Sequence, residues 1–310
     1  MTNYRFIQLD VFTDQALAGN SLAVFPDSEG IAEERMQPIA REMNLSETVF
    51  VLPPQDQSAL KRLRIFTPTS ELPFAGHPVV GTWYVLAHEG IVPVPEQGNS
   101  STTIFQELAV GVLPVDIEFK DSKPDRVVMT QGKFQILSDL DDGEEQADIA
   151  RALGLAREDL DEDLPIQVVS TGVPILVVPV RSLDDLSHCR ANLDMLSEIY
   201  KRAGAIGMYA FTRETIEIGE ARAHARFFIA DIGEDPATGS AAGPLGAYLV
   251  HHGVAGVEPV EGAYRFIIEQ GDFIKRPSRI GLEVKGMPGK VEQVRVGGPS
   301  IIVARGELIL

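Results

Sequence analysis

One segment of the chain is repeated 163 residues later. The two copies are Ser70–His77 (SELPFAGH) and Gly233–Ser240 (GEDPATGS). Glutamate, proline and glycine coincide at the same three positions in both copies. Each copy follows a β-like run and precedes a helix-like run of similar length. Shared spacing of turn residues and helix ends is typical of a duplicated unit. The repeat predicts two similar domains that face each other.

The order of the predicted elements favours an α+β fold. Runs of helical composition predict helices over 32–43, 77–88, 144–153, 192–203 and 240–252, with Pro38 expected to kink or shorten the first. Branched and aromatic runs predict strands over 4–12, 21–25, 47–52, 63–66, 101–119, 125–130, 166–170, 174–180, 206–211 and 222–229, then short strands from 264 onward. A strict strand–helix alternation is missing, which disfavours a doubly wound parallel sheet.

The charge and the motif content limit which classes of partner and cofactor the protein is expected to bind. The 27 basic and 45 acidic residues give a formal charge of −18, and such a surface repels nucleic acid and anionic membranes. The sequence contains neither GxGxxG nor GxxxxGK[ST], so a nucleotide cofactor has no support. The single cysteine, Cys189, excludes an internal disulfide, a cysteine zinc cluster and a two-thiol mechanism. No signal peptide is evident at the N-terminus, and a soluble cytoplasmic protein is expected.

The repeated glycines point to a binding function. Gly76 and Gly239 each stand where a loop turns into a helix, and the first helical turn offers unpaired N–H groups and a partial positive charge. Two such helix starts facing one cleft would bind a carboxylate or stabilise an oxyanion. Ser240 can cap its helix or donate a hydrogen bond. Each motif taken singly is also explained as an ordinary helix start.

The residues that could carry protons differ between the copies. Asp235 aligns with Leu72, His77 with Ser240, and Glu47 roughly with Met208. Each also has a structural interpretation: Glu47 as a solvated strand end, His77 as a helix cap, and Asp235 as a turn residue before proline. The repeat therefore predicts a symmetric scaffold with asymmetric chemistry, in which each half supplies one carboxylate.

Together these motifs resemble the phenazine-biosynthesis PhzF-like isomerases. The resemblance runs from about residue 4 to the C-terminus. It rests on four segments in order: Asp10–Thr13 with Gly19–Ser21, Ser46–Thr48, Pro73–Pro78, and Gly233–Ser240.

The resemblance implies a diaminopimelate-epimerase-like fold: two pseudosymmetric α+β domains, each a mostly antiparallel sheet wrapped around a central helix, with the active site in the cleft between them. The expected N-terminal half is 1–121, completed by a strand near 297–310, and the C-terminal half is 122–296. A homodimer without cofactor or metal is expected.

The resemblance also implies site residues. Glu47 would shuttle a proton, and Asp235 and His77 would act with it as catalytic residues. Substrate-binding residues would be Ser46, Gly76, His77, Gly239 and Ser240. The expected substrate is a small cyclic or amino-acid-like carboxylate. Cys189 matches neither cysteine of the diaminopimelate epimerases, which disfavours that activity. Two alternatives stay open: an amino-acid racemase or epimerase on the same scaffold, and a non-catalytic small-ligand-binding protein.

Overall fold

Two units make up the chain. The computed structural model describes residues 2–96, 98–230 and 233–310. The first unit comprises residues Met1–Thr130 and Gly297–Leu310, and the second comprises Gln131–Val296. The first unit is therefore built from both ends of the chain, and the second unit is continuous in sequence.

The helices and strands follow the chain in this order. The first unit contains β1 (Asn3–Val11), β2 (Asn20–Phe25), α1 (Glu33–Met43), β3 (Glu47–Leu52), β4 (Lys61–Phe66), β5 (Glu71–Leu72), α2 (Gly76–His88), β6 (Ser101–Leu108), β7 (Gly111–Lys120) and β8 (Lys123–Thr130). Next come β9 (Gln135–Asp139), α3 (Gly143–Leu153), β10 (Gln167–Ser170), β11 (Pro174–Pro179), α4 (Leu183–His188), α5 (Leu193–Ala203), β12 (Gly207–Thr212), β13 (Ala221–Ile229), β14 (Gly233–Asp235), α6 (Gly239–His251), β15 (Ala263–Gln270), β16 (Ser278–Met287) and β17 (Lys290–Gly298). The last strand, β18 (Ser300–Ile309), pairs with β1.

Both units have the same strand pairing. In the first unit, β2 runs parallel to β3, β3 antiparallel to β4, β4 parallel to β6, and β6 antiparallel to β7. In the second unit, β11, β12, β13, β15 and β16 repeat these pairings in the same order and direction. Helices α2 and α6 each have 13 residues and start 163 residues apart. The predicted α+β fold with two pseudosymmetric domains is confirmed.

A buried helix lies at the centre of each unit. Ten of the 13 residues of α2 are buried, and 11 of the 13 residues of α6 are buried. Both helices carry apolar residues on all sides, which is typical of a buried helix. A Cβ at Gly81 would lie 2.7 Å from the side chains of Leu22 and Val11, so glycine lets α2 lie directly on β1 and β2.

Some local features differ from the sequence predictions. The strands after residue 264 were predicted to be short, but β15, β16 and β17 have 8 to 10 residues each. All eight residues of β15 pair with β16. Strand β9 and the six-residue α4 were missed, since both are too short for a clear periodicity. Pro38 does not shorten α1. It lies on the exposed side of the helix, where the carbonyl that it leaves unpaired reaches solvent.

A buried glutamate anchors the loop between β12 and β13. Glu269 Oε2 accepts hydrogen bonds from Ile216 N at 2.7 Å and lies 2.9 Å from His224 Nδ1, and Oε1 accepts from Glu217 N at 2.8 Å. Both Glu269 and His224 are fully buried. Burial raises the pKa of Glu269, but the hydrogen bonds from His224 and the two backbone N–H groups outweigh it. The pKa of this carboxyl therefore lies below its ordinary value.

The first unit repeats this anchor with an arginine in place of the histidine. Glu107 Oε2 accepts from Gln55 N at 2.6 Å and from Asp56 N at 2.9 Å, in the loop between β3 and β4. Arg62 pairs with Glu107 across β4 and β6 as His224 pairs with Glu269 across β13 and β15. The Arg62 Nε to Glu107 Oε1 distance is 3.8 Å, and both side chains are partly exposed. The loop anchor is thus duplicated, but only the second copy is fully buried.

Candidate active site

In the first unit, a glutamate meets a histidine at the start of α2. Glu47 is the first residue of β3, and His77 is the second residue of α2. Glu47 Oε2 lies 2.8 Å from His77 Nε2. The side chain of Glu47 is 14% exposed and that of His77 is 7% exposed. A carboxylate that is mostly buried but still reaches solvent can exchange a proton with a small ligand.

Asn20 fixes the protonation pattern of His77. Its Nδ2 lies 3.3 Å from His77 Nδ1. An amide nitrogen can only donate, so Nδ1 accepts and the proton of a neutral imidazole is on Nε2. The Nε2 side of the ring lies 2.8 Å from Glu47 Oε2, without the alignment of a hydrogen bond. A histidine in the first turn of a helix is also disfavoured as a cation by the helix dipole. The geometry therefore places the Nε2–H group of a neutral His77 beside the Glu47 carboxyl group.

Replacing Asn20 by alanine is expected to remove this preference. In the native protein, ¹⁵N chemical shifts of the imidazole should report the Nε2–H tautomer of His77. In Asn20→Ala the shifts should move towards a mixture of both tautomers, because nothing donates to Nδ1 from that position. Ser21→Ala, on the adjacent residue of β2, is the control and should leave the shifts unchanged. A fixed tautomer in Asn20→Ala would contradict the assignment.

In the second unit, Asp235 ends β14 and is tied to the start of α6. The Thr238 hydroxyl donates to Asp235 Oδ2. Gln270 Nε2 donates to the Asp235 carbonyl at 2.7 Å. Asp235 is half-buried and Gln270 is fully buried. Asp235 is therefore a partly accessible carboxylate on a rigid support, as Glu47 is in the first unit.

The starts of the two central helices lack side-chain caps. Among the described residues, no side chain caps α2 at Ala75 or α6 at Thr238, and neither first turn contains an acidic residue. In contrast, side chains of Asp142, Ser182 and Asn192 cap α3, α4 and α5. Uncapped N–H groups near a carboxylate-bearing site are suited to an anionic ligand.

The remaining predicted site residues lie next to these groups in sequence. Ser46 directly precedes β3 and is partly exposed. Gly76 and Gly239 are the first residues of α2 and α6, and Ser240 is the second residue of α6. The structure brings Glu47 and His77 together within one unit. In the other unit, Asp235 contacts Thr238 and Gln270.

An arginine–glutamate pair braces the hairpin before each helix start. Arg64 Nε lies 2.7 Å from Glu71 Oε1, and Arg226 Nη2 lies 2.6 Å from Glu234 Oε2. Each guanidinium also covers a phenylalanine ring, Phe66 or Phe228, at about the same distance. The shared glutamate of the repeat is therefore structural, since it holds the hairpin that leads into the helix.

Cys189 is not available for proton transfer. It directly follows α4 and is fully buried, and burial raises the pKa of its thiol to about 11. A thiol of this kind stays protonated at neutral pH. Within 2–96, 98–230 and 233–310, no three or more histidine, cysteine, aspartate or glutamate side chains are arranged to hold a metal ion. Every helix in the same ranges is too short or too polar to cross a bilayer.

The chain is similar to isomerases along its whole length. A family model described as phenazine biosynthesis-like protein matches residues 9–306. An uncharacterised isomerase of Clostridium acetobutylicum is 36% identical, with 99% of this chain and 98% of the relative covered. The trans-2,3-dihydro-3-hydroxyanthranilate isomerase of Pseudomonas aeruginosa is 34% identical, with 99% of this chain and 100% of the relative covered.

Solved structures share the fold. A PhzF-family phenazine biosynthesis protein of Bacillus anthracis superimposes with a TM-score of 0.85 at 28% identity, covering both chains fully. A protein of Pseudomonas aeruginosa described as a predicted epimerase gives 0.79 at 34% identity and 99% of both chains. A probable proline racemase of Agrobacterium radiobacter, 13% identical, gives 0.65 over 99% of this chain and 93% of that one, and shares the fold alone.

The fold and these relatives define an enzyme of the isomerase class with a diaminopimelate-epimerase-like architecture. The chain belongs to the phenazine biosynthesis-like, or PhzF, family. The family resemblance and the enzyme class predicted from the motifs are confirmed.

Proposed function

We propose that this protein is a cofactor-independent isomerase of a small cyclic or amino-acid-like carboxylate, with Glu47 as the proton carrier. The observation that carries the proposal is the 2.8 Å contact between Glu47 Oε2 and His77 Nε2 at an uncapped helix start. An imidazole N–H this close to the carboxyl group can hydrogen-bond to it once a substrate is bound, and the carboxylate is the form that can abstract a proton.

The reaction then has two proton transfers through one side chain. Glu47 removes a proton from one carbon of the substrate, and the electrons of the C–H bond form the new double bond while the old double bond shifts. The protonated Glu47 returns the same proton to another carbon on the same face. His77 would stabilise the carboxylate from its Nε2 side, which lies 2.8 Å from Glu47 Oε2.

The second unit supports a single-carrier mechanism. Gly207 starts β12 as Glu47 starts β3. A Cβ at Gly207 would lie 2.6 Å from the Phe227 ring and 3.0 Å from the Phe228 carbonyl oxygen. A side chain equivalent to Glu47 therefore has no room in the second unit. The carboxylate that the second unit does offer, Asp235, stands at a different place in the repeat, at the end of β14. A two-base racemase is expected to use equivalent acids, whereas a proton that moves along one face needs one carrier.

The other site residues are assigned to substrate binding and orientation. The N–H groups at Gly76 and Gly239 would bind the substrate carboxylate, with Ser46 and Ser240 as hydrogen-bond donors. Asp235 would orient a polar group of the substrate. That the residues of both units serve one substrate molecule stays a sequence-based prediction.

An epimerase is the second candidate, because a structure at 34% identity is described as a predicted epimerase. The two reactions differ in their products. An isomerase moves a double bond and changes the ultraviolet spectrum of its substrate. An epimerase inverts one centre, incorporates solvent deuterium there and leaves the spectrum unchanged.

The purified protein is therefore tested with trans-2,3-dihydro-3-hydroxyanthranilate, the compound named for two relatives, and with cyclic amino acids, in H₂O and D₂O. A spectral change with transfer of the substrate's own hydrogen supports the proposal. Deuterium incorporation with inversion and no spectral change supports the epimerase instead. Absence of either change with every probe contradicts both.

A further inference from the structure

All hydrogen-bonding positions of the buried Gln270 amide are occupied. Its Oε1 accepts from the Tyr209 hydroxyl at 2.7 Å and from Thr238 N at 3.1 Å. Its Nε2 donates to the Asp235 carbonyl at 2.7 Å and to Thr238 Oγ1 at 3.1 Å. A side-chain amide offers two acceptor sites and two donor hydrogens, so none is left over.

This pattern fixes the orientation of the amide. A flipped Gln270 would place its NH₂ group against the Thr238 N–H and its oxygen against the Asp235 carbonyl. Two hydrogen bonds would become two repulsive contacts in a fully buried setting, where unsatisfied polar groups are strongly unfavourable. Tyr209 adds a further constraint. Burial raises its pKa well above the ordinary value, so its hydroxyl keeps the proton that it donates to Oε1.

The fixed amide in turn sets the direction of the Thr238 hydroxyl. Thr238 Oγ1 already accepts a hydrogen from Gln270 Nε2. Its own hydrogen is therefore directed elsewhere, and the acceptor in contact with it is Asp235 Oδ2. The chain of hydrogen bonds runs from Gln270 through Thr238 to Asp235, and it favours an ionised, accepting carboxylate.

The first unit makes the same helix start without any of these polar groups. Leu72 precedes Pro73 as Asp235 precedes Pro236, and Ala75 precedes α2 as Thr238 precedes α6. Leu108 ends β6 as Gln270 ends β15. Apolar residues at these three positions are enough to build the helix start in the first unit. Thr238 and Gln270 of the second unit therefore serve to hold the Asp235 carboxylate rather than to build the fold.

We propose that Gln270 is a positioning residue that orients the Thr238 hydroxyl and thereby fixes how Asp235 presents its carboxylate to substrate. The use of this carboxylate in the reaction rests on the proposed function. The hydrogen-bond chain itself does not, so it is tested without turnover.

The test measures the pKa of the Asp235 carboxyl group by ¹³C NMR titration of aspartate-labelled protein, with Asp235→Asn to assign the signal. Thr238→Val removes the donor, and the measured pKa should rise by about one unit, as expected for a hydrogen bond to a carboxylate. Thr238→Ser keeps the hydroxyl and should restore the native value. An equal pKa in Thr238→Val and the native protein overturns the proposal.

Gln270→Met tests the positioning step itself. The Asp235 pKa should rise here too, because Thr238 Oγ1 loses the donor that orients it. Gln106→Met is the matched control, since Gln106 is a fully buried amide near the end of β6 with a 2.7 Å bond from Trp83. It should lower the melting temperature and leave the Asp235 pKa unchanged. If Gln270→Met does not fold, the comparison of Thr238→Val with Thr238→Ser decides.

Turnover of Asp235→Asn, taken together with the Asp235 pKa in Thr238→Val, separates a failure of the proposed function from a failure of the positioning chain. If Asp235→Asn retains full turnover while Thr238→Val raises the Asp235 pKa, the carboxylate is positioned as inferred but is not used in the reaction. If Asp235→Asn abolishes turnover while Thr238→Val leaves the pKa unchanged, the site is correct and the positioning chain is wrong.

Discussion

Glu47→Gln is expected to lower turnover by about 10²–10⁴, the usual contribution of a general acid–base group. The glutamine side chain keeps the size of Glu47 and can accept from His77 Nε2, but it cannot take up and return a proton. Substrate affinity should stay near its native value. Steady-state kinetics and ligand titration, with the substrate that the isomerase assay identifies, separate these two effects.

Glu42→Gln provides the control for this substitution. Glu42 lies on the exposed face of α1, close to Glu47 in sequence, and the change removes the same charge. Its turnover should equal that of the native protein. If Glu47→Gln keeps full turnover, another group carries the proton and the proposed mechanism fails.

Glu269→Gln is expected to destabilise the protein by about 2–3 kcal/mol, because a buried donor is left without an acceptor. All three donors around the carboxylate, Ile216 N, Glu217 N and His224 Nδ1, need an acceptor. A glutamine NH₂ group must face at least one of them. Urea unfolding at neutral pH measures the loss.

Glu107→Gln is the matched control, because it changes the equivalent glutamate of the first unit. That carboxylate is partly exposed, and its nearest charged partner, Arg62, lies 3.8 Å away. The expected loss is smaller, about 1–2 kcal/mol, because this carboxylate also accepts two backbone hydrogen bonds but can reach solvent. Equal losses in the two variants would contradict the difference in burial between the two anchors.

The stability contributed by Glu269 should also depend on pH in a defined direction. Its pKa in the folded protein is lowered, so the contribution is complete above the ordinary glutamate value of about 4.3 and is lost as pH falls through the folded value. The difference in unfolding free energy between the native protein and Glu269→Gln should therefore shrink in acid. His224, Asp272 and Arg279 surround the site in both proteins. A difference that is constant down to pH 3 would contradict the assignment.

The fold was predictable because the residues of the duplicated segment mark where each central helix begins. Proline and glycine mark the start of α2 and α6, and the apolar run after each glycine is long enough to indicate a helix. Glu47 was predicted at the start of a strand and stands there. Parallel pairings such as β4 with β6 join segments distant in sequence, and no local pattern indicates them.

The supporting residues of the site were not predictable in the same way. Asn20 was part of a recognised motif, but nothing in the sequence indicated that its amide contacts His77. Gln270 lies in a tail that was predicted only as strands, 35 residues after Asp235. Buried amides have no charge and no characteristic spacing, so only the folded structure reveals which group they orient.

The division of the first unit between both chain ends has a consequence for biosynthesis. On the ribosome, residues 131–296 emerge before the strand that completes the first unit, so the second unit can acquire its native structure while β1 still lacks β18. Closing a loop of almost the entire polypeptide is a slow, entropically unfavourable step. Until then β1 is an open sheet edge, and nascent chains at this stage are exposed to misassembly and to chaperone capture.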